Sequence, residues 1–209
     1  MAKDRSGQLK AIEEEVRNLT ISPLYEYRRE HGYHTVVGVG DPQADIMFIG
    51  EAPGKQKALS GKPFVGAAGK FLDKLLESIE LSRQQVYITN ILKDRPPENR
   101  DPQKEEIEIY TPFLRRQIEI IQPKVIVTLG RFAMDFILTE FNAPERGGKI
   151  SELHGQPLHG KTTFGTVIVL PLFHPAVALY RRELKEVLKN DFQTLRAYVK
   201  NGKQRVLEQ

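Results

Sequence analysis

Three polar side chains stand at the ends of apolar runs, where a carboxylate, an amide and an imidazole could act on one ligand. Glu51 follows the apolar run 46–49, Asn90 ends the next run, and His174 follows the run 167–170. These three groups can exchange protons and hydrogen bonds with a ligand. In an open parallel sheet, the loops beyond the carboxyl ends of the strands converge, so we expect the three side chains to share one cleft.

Each of these side chains also has an ordinary structural explanation. A Glu after a strand commonly caps a helix, an Asn commonly forms a turn, and a His is commonly packed or exposed. Their occurrence together at equivalent strand ends is what favours a shared site. The glycines that flank Ala52 and Pro53 would let a ligand approach the backbone closely, although a Gly-Pro loop is often only a turn.

Apolar strands and amphipathic helices alternate along the chain and must position these residues. Strands are predicted at 36–39, 46–49, 86–90, 125–129 and 167–170. Helices are predicted at about 9–19, 71–79, 107–121, 131–138 and 184–199, with a loop at 95–102 and only weak signals for short strands at 140–165. This alternation predicts an α/β fold with a mostly parallel central sheet that is covered on both faces.

Length and composition limit the remaining possibilities. The 209 residues suffice for one domain, which we predict over 1–209, with an N-terminal helix and connection at 1–34 and a polar tail at 200–209. The formal net charge of +4 permits a polyanionic partner without requiring one. The absence of cysteine excludes disulfides, thiolate catalysis and cysteine-ligated zinc or iron-sulfur centres.

The sequence gives no sign of export or membrane insertion. Its N-terminus leads into a charged amphipathic stretch, and no apolar run approaches the roughly 20 residues of a membrane-spanning helix. We therefore expect a cytoplasmic protein. A monomer is expected because no exposed apolar stripe is left after the core helices are assigned.

Five motifs follow one another in register along the chain. They are Gly50-Glu51-Ala52-Pro53-Gly54, Gly61-Lys62-Pro63-Phe64-Val65-Gly66, Ile88-Thr89-Asn90, Lys93 with Arg95-Pro96-Pro97 and Asn99-Arg100, and His174-Pro175-Ala176. Together they resemble the successive motifs of the family 4 uracil-DNA glycosylases. The resemblance covers about 36–195 and implies a three-layer α/β/α sandwich. It also implies hydrolysis of the N-glycosidic bond of deoxyuridine in DNA, with release of uracil and formation of an abasic site.

The resemblance assigns a role to each residue of the predicted cleft. Asn90 would read the edge of uracil that carries O4 and N3, and Phe64 would stack on the flipped base, with Gly50 and Ala52 beside it. A Phe at this position could otherwise be an ordinary core residue.

The resemblance also implies two catalytic residues. His174 would donate a hydrogen bond to uracil O2, and Glu51 would orient or activate the attacking water, although it could equally hold its own loop. This hydrolysis requires no metal and no redox cofactor, so none is predicted.

A second group of residues is assigned by the resemblance to the DNA backbone and to the space that the flipped base leaves. The group consists of Gly54, Gly66, Lys93, Arg95, Arg100, Leu179, Arg181 and Arg182. Leu179 or Tyr180 would fill the vacated space, and the basic residues would pair with phosphates. Any one of them could instead be a solvated loop or helix-start residue.

The chain departs from the family at the positions of its iron-sulfur cluster. Family members usually ligate a four-iron cluster with four cysteines, whereas Asp94 and Tyr110 stand at two of these positions here and the other two fall within 22–27. Hydroxyl and carboxylate side chains cannot replace four thiolates, so we predict a protein without the cluster. The segment 22–34, with Tyr25, Tyr27 and Tyr33, is expected to pack in its place, and Tyr110 to hydrogen-bond Asp94.

Two other functions remain open at this stage. One is a non-catalytic nucleic-acid-binding module on the same scaffold, and the other is a glycosylase for a different damaged base. A phosphotransferase with a Gly-rich loop is not expected, because the 50–54 loop lacks the P-loop spacing and its terminal Lys-Ser/Thr.

Overall fold

A computed structural model describes residues 4–199, which form a six-stranded sheet between two layers of helices. The strands are β1 (Val39–Gly40), β2 (Ile46–Gly50), β3 (Tyr87–Asn90), β4 (Val125–Leu129), β5 (Leu158–Thr162) and β6 (Gly165–Leu172). Their order in the sheet is β1-β3-β2-β4-β6-β5. The four inner strands are parallel and the two edge strands are antiparallel, so the prediction of a mostly parallel α/β sheet is confirmed.

The helices surround this sheet, and several connections between strands are helical. Within 4–199 the helices are α1 (Arg5–Arg17), α2 (Tyr25–Glu30), α3 (Lys55–Ser60), α4 (Gly66–Glu77), α5 (Lys104–Ile121), α6 (Arg131–Glu140), α7 (Ile150–Leu153), α8 (Val177–Tyr180) and α9 (Glu183–Arg196). No helix in this part of the chain has the length and apolar character needed to cross a membrane.

Side chains from alternate positions of β2 enter two separate cores. Met47 and Ile49 belong to the core under α1, α5 and α6, whereas Ile46 and Phe48 belong to the core under α4 and α9. Successive side chains of a strand point to opposite faces of the sheet, so a fully apolar strand needs cover on both sides. Burial of all five residues of β2 satisfies this requirement and accounts for the three-layer architecture.

The strand register brings the predicted cleft residues to one edge of the sheet. Gly50 of β2 pairs with Asn90 of β3, and both are the last residues of their strands. On the other side of β2, β4 connects it to β6, after whose end His174 follows. The sheet edge at the carboxyl ends of β2, β3 and β6 therefore carries Glu51, Asn90 and His174.

Two secondary-structure predictions need correction. Most of the strand predicted at 36–39 lies outside the sheet, and only Val39 and Gly40 pair with β3. The backbone of Val36 and Val37 is paired elsewhere: Val36 N–H donates to the Lys93 carbonyl oxygen, and the Val37 carbonyl oxygen accepts from Thr89 Oγ1 and Gln117 Nε2.

The region 140–165 also differs from the weak pattern that its sequence shows. It contains α7 and the edge strand β5, which forms an antiparallel hairpin with β6. The tail predicted at 200–209 lies outside the described residues.

A buried polar network joins the segment 22–34 to the start of α5 and to the loop after β3. The Tyr110 hydroxyl donates to Asp94 Oδ2 at 2.5 Å, so the contact of 2.7 Å between Ser22 Oγ and Tyr110 is donated by the serine. Arg28 Nη1 donates to the same carboxylate at 2.9 Å. The predicted hydrogen bond between Tyr110 and Asp94 is confirmed.

This network does not fit an iron-sulfur cluster. A cluster needs thiolate ligands, whereas the side chains present are hydroxyls, a carboxylate and a guanidinium that satisfy one another. Part of the segment 22–34 also packs on the same loop, since the hydroxyls of Tyr27 and Tyr33 both accept hydrogen bonds from Arg95.

Candidate active site

Asn90 ends β3 with a side-chain amide that is 0% exposed and that has no hydrogen-bond partner at either Nδ2 or Oδ1 among the described residues. A buried amide without partners costs free energy, and native structures rarely keep one without a reason. The free donor and acceptor point to a ligand that presents one acceptor and one donor side by side. Asn90 is therefore the centre of the candidate site.

Phe64 lies against this amide and forms the apolar wall of the site. A Cβ on Gly50 would come within 2.5 Å of Asn90 Oδ1 and 2.8 Å of Phe64 Cζ, so only glycine fits between them. Phe64 has a positive φ of 51°, and Arg83 donates hydrogen bonds to its carbonyl oxygen and to that of Gly69. These contacts hold the ring beside Asn90 in spite of the unfavourable backbone conformation.

His174 stacks near the same ring and carries its proton on one defined nitrogen. The centroids of the His174 and Phe64 rings are 5.5 Å apart. The backbone N–H of Ala176 donates to His174 Nδ1 at 3.1 Å, which makes Nδ1 an acceptor and leaves the proton of the neutral ring on Nε2. Burial, helped by the nearby Lys57 ammonium, lowers the pKa of His174 to about 3, so the ring is a neutral N–H donor at physiological pH.

Glu51 begins the loop after β2 and is partly buried at the same edge. Burial and the nearby carboxylate of Asp101 raise its pKa to about 7, while Arg131 and Lys57 act in the opposite direction. A carboxylate with this pKa exchanges protons near neutral pH and is suited to accept one from water. The described residues contain no cluster of three or more His, Asp or Glu that could hold a metal ion.

The cleft thus combines an unpaired amide, an aromatic wall, a neutral imidazole donor and a basic carboxylate. Comparison with known proteins identifies the family. Residues 37–198 match the model of the uracil DNA glycosylase superfamily. The chain belongs to the uracil-DNA glycosylase superfamily.

Several relatives within the superfamily are similar over most of their length. The chain is 43% identical over 189 residues to the Type-4 uracil-DNA glycosylase of Sulfurisphaera tokodaii, with 90% of this chain and 83% of that protein covered. It is 48% identical over 160 residues to the Type-4 enzyme of Archaeoglobus fulgidus, with 77% and 79% covered. It is 36% identical over 200 residues to that of Thermotoga maritima, with 94% and 97% covered.

Lys93 does not have the position that the resemblance to the superfamily implied. Its side chain is 0% exposed, and Nζ donates to the Asn90 carbonyl oxygen at 2.7 Å, to Thr89 Oγ1 at 2.8 Å and to Gln117 Oε1 at 2.6 Å. A DNA phosphate cannot reach this nitrogen, so the predicted DNA contact is wrong. Lys93 instead supports the backbone of Asn90 from inside the fold.

Arg95 also points inward. Its Nη1 donates to the hydroxyls of Tyr27 and Tyr33, and its Nε donates to Asn99 Oδ1 at 2.9 Å. The guanidinium holds the loop after β3 against the segment 22–34, and the predicted pairing of Arg95 with a DNA phosphate stays a prediction. Arg100 pairs with the buried Glu106 and keeps about a third of its side chain exposed, so its DNA contact stays a prediction.

The other predicted DNA contacts lie on the surface around the cleft. Gly54 is the N-cap of α3, and Gly66 is the first residue of α4, two positions after Phe64. Leu179, Arg181 and Arg182 are exposed just beyond His174. Their contacts with DNA stay predictions.

Sequence reasoning missed two residues of the site. Lys57 lies buried against Phe64, and Arg131 lies close enough to Glu51 to lower its pKa. Neither position stands out in the sequence, since Lys57 is one of two lysines in a short helix and Arg131 begins another helix. An arginine or lysine at a helix surface is usually solvated, and only packing reveals otherwise.

Proposed function

We propose that this protein is a uracil-DNA glycosylase that acts in base excision repair and hydrolyses the bond between uracil and deoxyribose in DNA. The unpaired amide of Asn90 beside Phe64 carries the proposal. Uracil presents an acceptor at O4 next to a donor at N3, which complements an amide that offers N–H and C=O together. Cytosine presents the opposite order, so an amide held in one orientation selects uracil.

The aromatic wall and the buried position of the amide imply that the target nucleotide leaves the DNA stack. A base inside a duplex cannot reach a side chain at the bottom of a cleft, so the enzyme must bind it flipped out. Uracil would then stack on Phe64 while Asn90 pairs with its edge. Leu179 or Tyr180, both exposed on α8, would fill the gap in the DNA, and Arg181 and Arg182 would pair with phosphates.

Cleavage transfers the electron pair of the C1′–N1 bond to uracil and leaves positive charge on the sugar. His174 Nε2–H would donate a hydrogen bond to O2, where negative charge develops. A neutral imidazole suits this role, because a donor that is already in place needs no reorganisation. Ionised Glu51 would orient water towards C1′, accept a proton from it and stabilise the sugar cation.

Replacing His174 by Ala is expected to slow single-turnover uracil release by roughly 100-fold, because removal of one preorganised donor costs about this much. The measurement is the rate of abasic-site formation with enzyme in excess over a uracil-containing oligonucleotide. His159, which is exposed on β5, supplies the matched control, and His159→Ala should cleave like wild type. Equal rates for His174→Ala and wild type would remove His174 from the mechanism.

The function itself is tested by alkaline cleavage of labelled oligonucleotides that carry one uracil, either single-stranded or opposite G or A. Cleavage at uracil, with free uracil released and no cleavage of matched strands that carry cytosine or thymine, is the expected result. DNA binding without cleavage would indicate a nucleic-acid-binding module. Cleavage only at another damaged base would indicate a glycosylase of different specificity.

The chain contains no cysteine, and Asp94 is hydrogen-bonded by Arg28 and Tyr110. Both facts support the proposal that this protein works without an iron-sulfur cluster. The reaction derived above uses only protein side chains and water. We further propose one domain over 1–209 that acts as a cytoplasmic monomer on DNA, on the sequence grounds given above.

A further inference from the structure

Lys57 is a buried lysine inside the candidate site. It lies in α3 and its side chain is 7% exposed, whereas Lys55 of the same short helix is exposed. Its Nζ lies 3.8 Å from the centroid of the Phe64 ring. An ammonium at this distance over the ring makes a cation–π contact, so it lies next to the surface on which a flipped base would stack.

The ammonium of Lys57 has no close carboxylate to balance its positive charge among the described residues. Within 4–199, no carboxylate oxygen lies within 4.0 Å of Nζ, and its support consists of the Phe64 ring and the more distant charge of Glu51. Burial, together with the Arg83 guanidinium, lowers the pKa of Lys57 to about 8, and Glu51 opposes the change. His174, the other titratable group that faces Lys57, is neutral. A buried cation with so few partners is stabilised when an anion enters the site.

The reaction produces such an anion at this place. When the C1′–N1 bond breaks, its electron pair passes to uracil, whose negative charge spreads over the ring and its carbonyl oxygens. Building on the proposed function, we propose that Lys57 is a further catalytic residue, whose ammonium contacts the departing uracil and neutralises its developing charge. Water supplies the hydroxyl group to C1′ and gives its proton to Glu51, and the uracil anion takes a proton from solvent. Lys57 itself neither gains nor loses a proton.

The position of Lys57 favours the base over the DNA backbone as its partner. A phosphate flanking the flipped nucleotide stays at the mouth of the cleft, where exposed lysines and arginines can reach it. Lys57 is instead buried against Phe64, in a site whose unpaired amide is also directed at the base. The side chain has four rotatable bonds, so Nζ can move from the face of the phenyl ring to the edge of a stacked uracil without movement of α3.

Lys57→Met removes the charge and retains most of the side-chain volume. Uracil release in single turnover is expected to fall roughly 30- to 100-fold, in line with other preorganised electrostatic contacts to a leaving group. Lys70→Met, on the exposed face of α4, makes the same change in net charge and should cleave like wild type. The melting temperature of Lys57→Met should equal or exceed that of wild type, because a poorly paired buried charge has been removed.

The pH profile separates loss of charge from loss of packing. Activity of wild type should rise through about pH 7 as Glu51 ionises and fall above about pH 8 as Lys57 loses its proton. Lys57→Arg stays charged throughout this range and should therefore lose the alkaline fall while retaining more activity than Lys57→Met. Lys57→Met should also lack the alkaline fall, at a uniformly lower rate.

Three outcomes would overturn the proposal. Lys57→Met that cleaves as fast as wild type would show that the charge is not used, and faster cleavage would show that Lys57 obstructs the base. An alkaline fall that persists in Lys57→Met would assign that fall to another group. In each case wild type still releases uracil, so the proposed function stands, whereas failure of wild type to cleave any uracil substrate would remove both.

Discussion

Asn90→Ala is expected to reduce uracil release about 1,000-fold or more, because it removes both hydrogen bonds that recognise the base in a site that excludes water. The loss should appear in kcat/KM for uracil in single-stranded and in double-stranded DNA. Affinity for DNA without uracil should change little, since the contacts proposed with the DNA backbone lie elsewhere. The measurement is single-turnover cleavage together with binding of a matched strand that lacks uracil.

The same substitution should not destabilise the protein. The amide of Asn90 has no hydrogen-bond partner in the described part of the fold, so its removal breaks no internal contact and relieves the cost of burying two unpaired polar atoms. We expect a melting temperature equal to or above that of wild type. Asn18→Ala, at the exposed end of α1, is the control for a change of Asn to Ala without effect on cleavage. If Asn90→Ala cleaves within a few fold of wild type, Asn90 does not recognise uracil, and the main argument for the proposed function fails.

Asp94→Ala is expected to destabilise the protein by about 3 to 5 kcal/mol, the usual effect of leaving a buried charge without its partner. The guanidinium of Arg28 is almost fully buried and pairs with this carboxylate at 2.9 Å, and the Tyr110 hydroxyl donates to it as well. For a protein of this size, that loss corresponds to a fall of roughly 10 °C in melting temperature. Thermal or urea unfolding measures the effect directly.

Two further variants show whether charge burial is the cause. Tyr110→Phe removes two hydrogen bonds but leaves the ion pair, and should cost only about 1 to 3 kcal/mol. Arg28→Met combined with Asp94→Leu removes both charges and should recover much of the stability lost in Asp94→Ala. Unchanged melting of both Asp94→Ala and Tyr110→Phe would show that this network does not stabilise the fold.

Local sequence patterns were sufficient to predict the architecture and the centre of the site. The β2 run is apolar at every position, which requires cover on both faces and so predicts a parallel sheet between helix layers. Parallel strands end at a common edge, and this rule predicts that Glu51, Asn90 and His174 lie together. The edge strands were predicted less well, because their pairing depends on distant side chains, such as those of Thr89 and Gln117, which bind the Val37 carbonyl oxygen.

Only the tertiary structure showed which basic side chains are buried and which groups they contact. Lys93 and Arg95 were predicted to bind DNA, yet Lys93 is held by Gln117, 24 positions later in the chain, and Arg95 by Tyr33, 62 positions earlier. Lys57, which nothing in the sequence distinguished, lies over the ring of Phe64. The charge and flexible stem of a lysine or arginine are the same on the surface and in the interior. Which of the two a residue occupies is set by the distant segments that pack around it, and a local pattern holds no information about them.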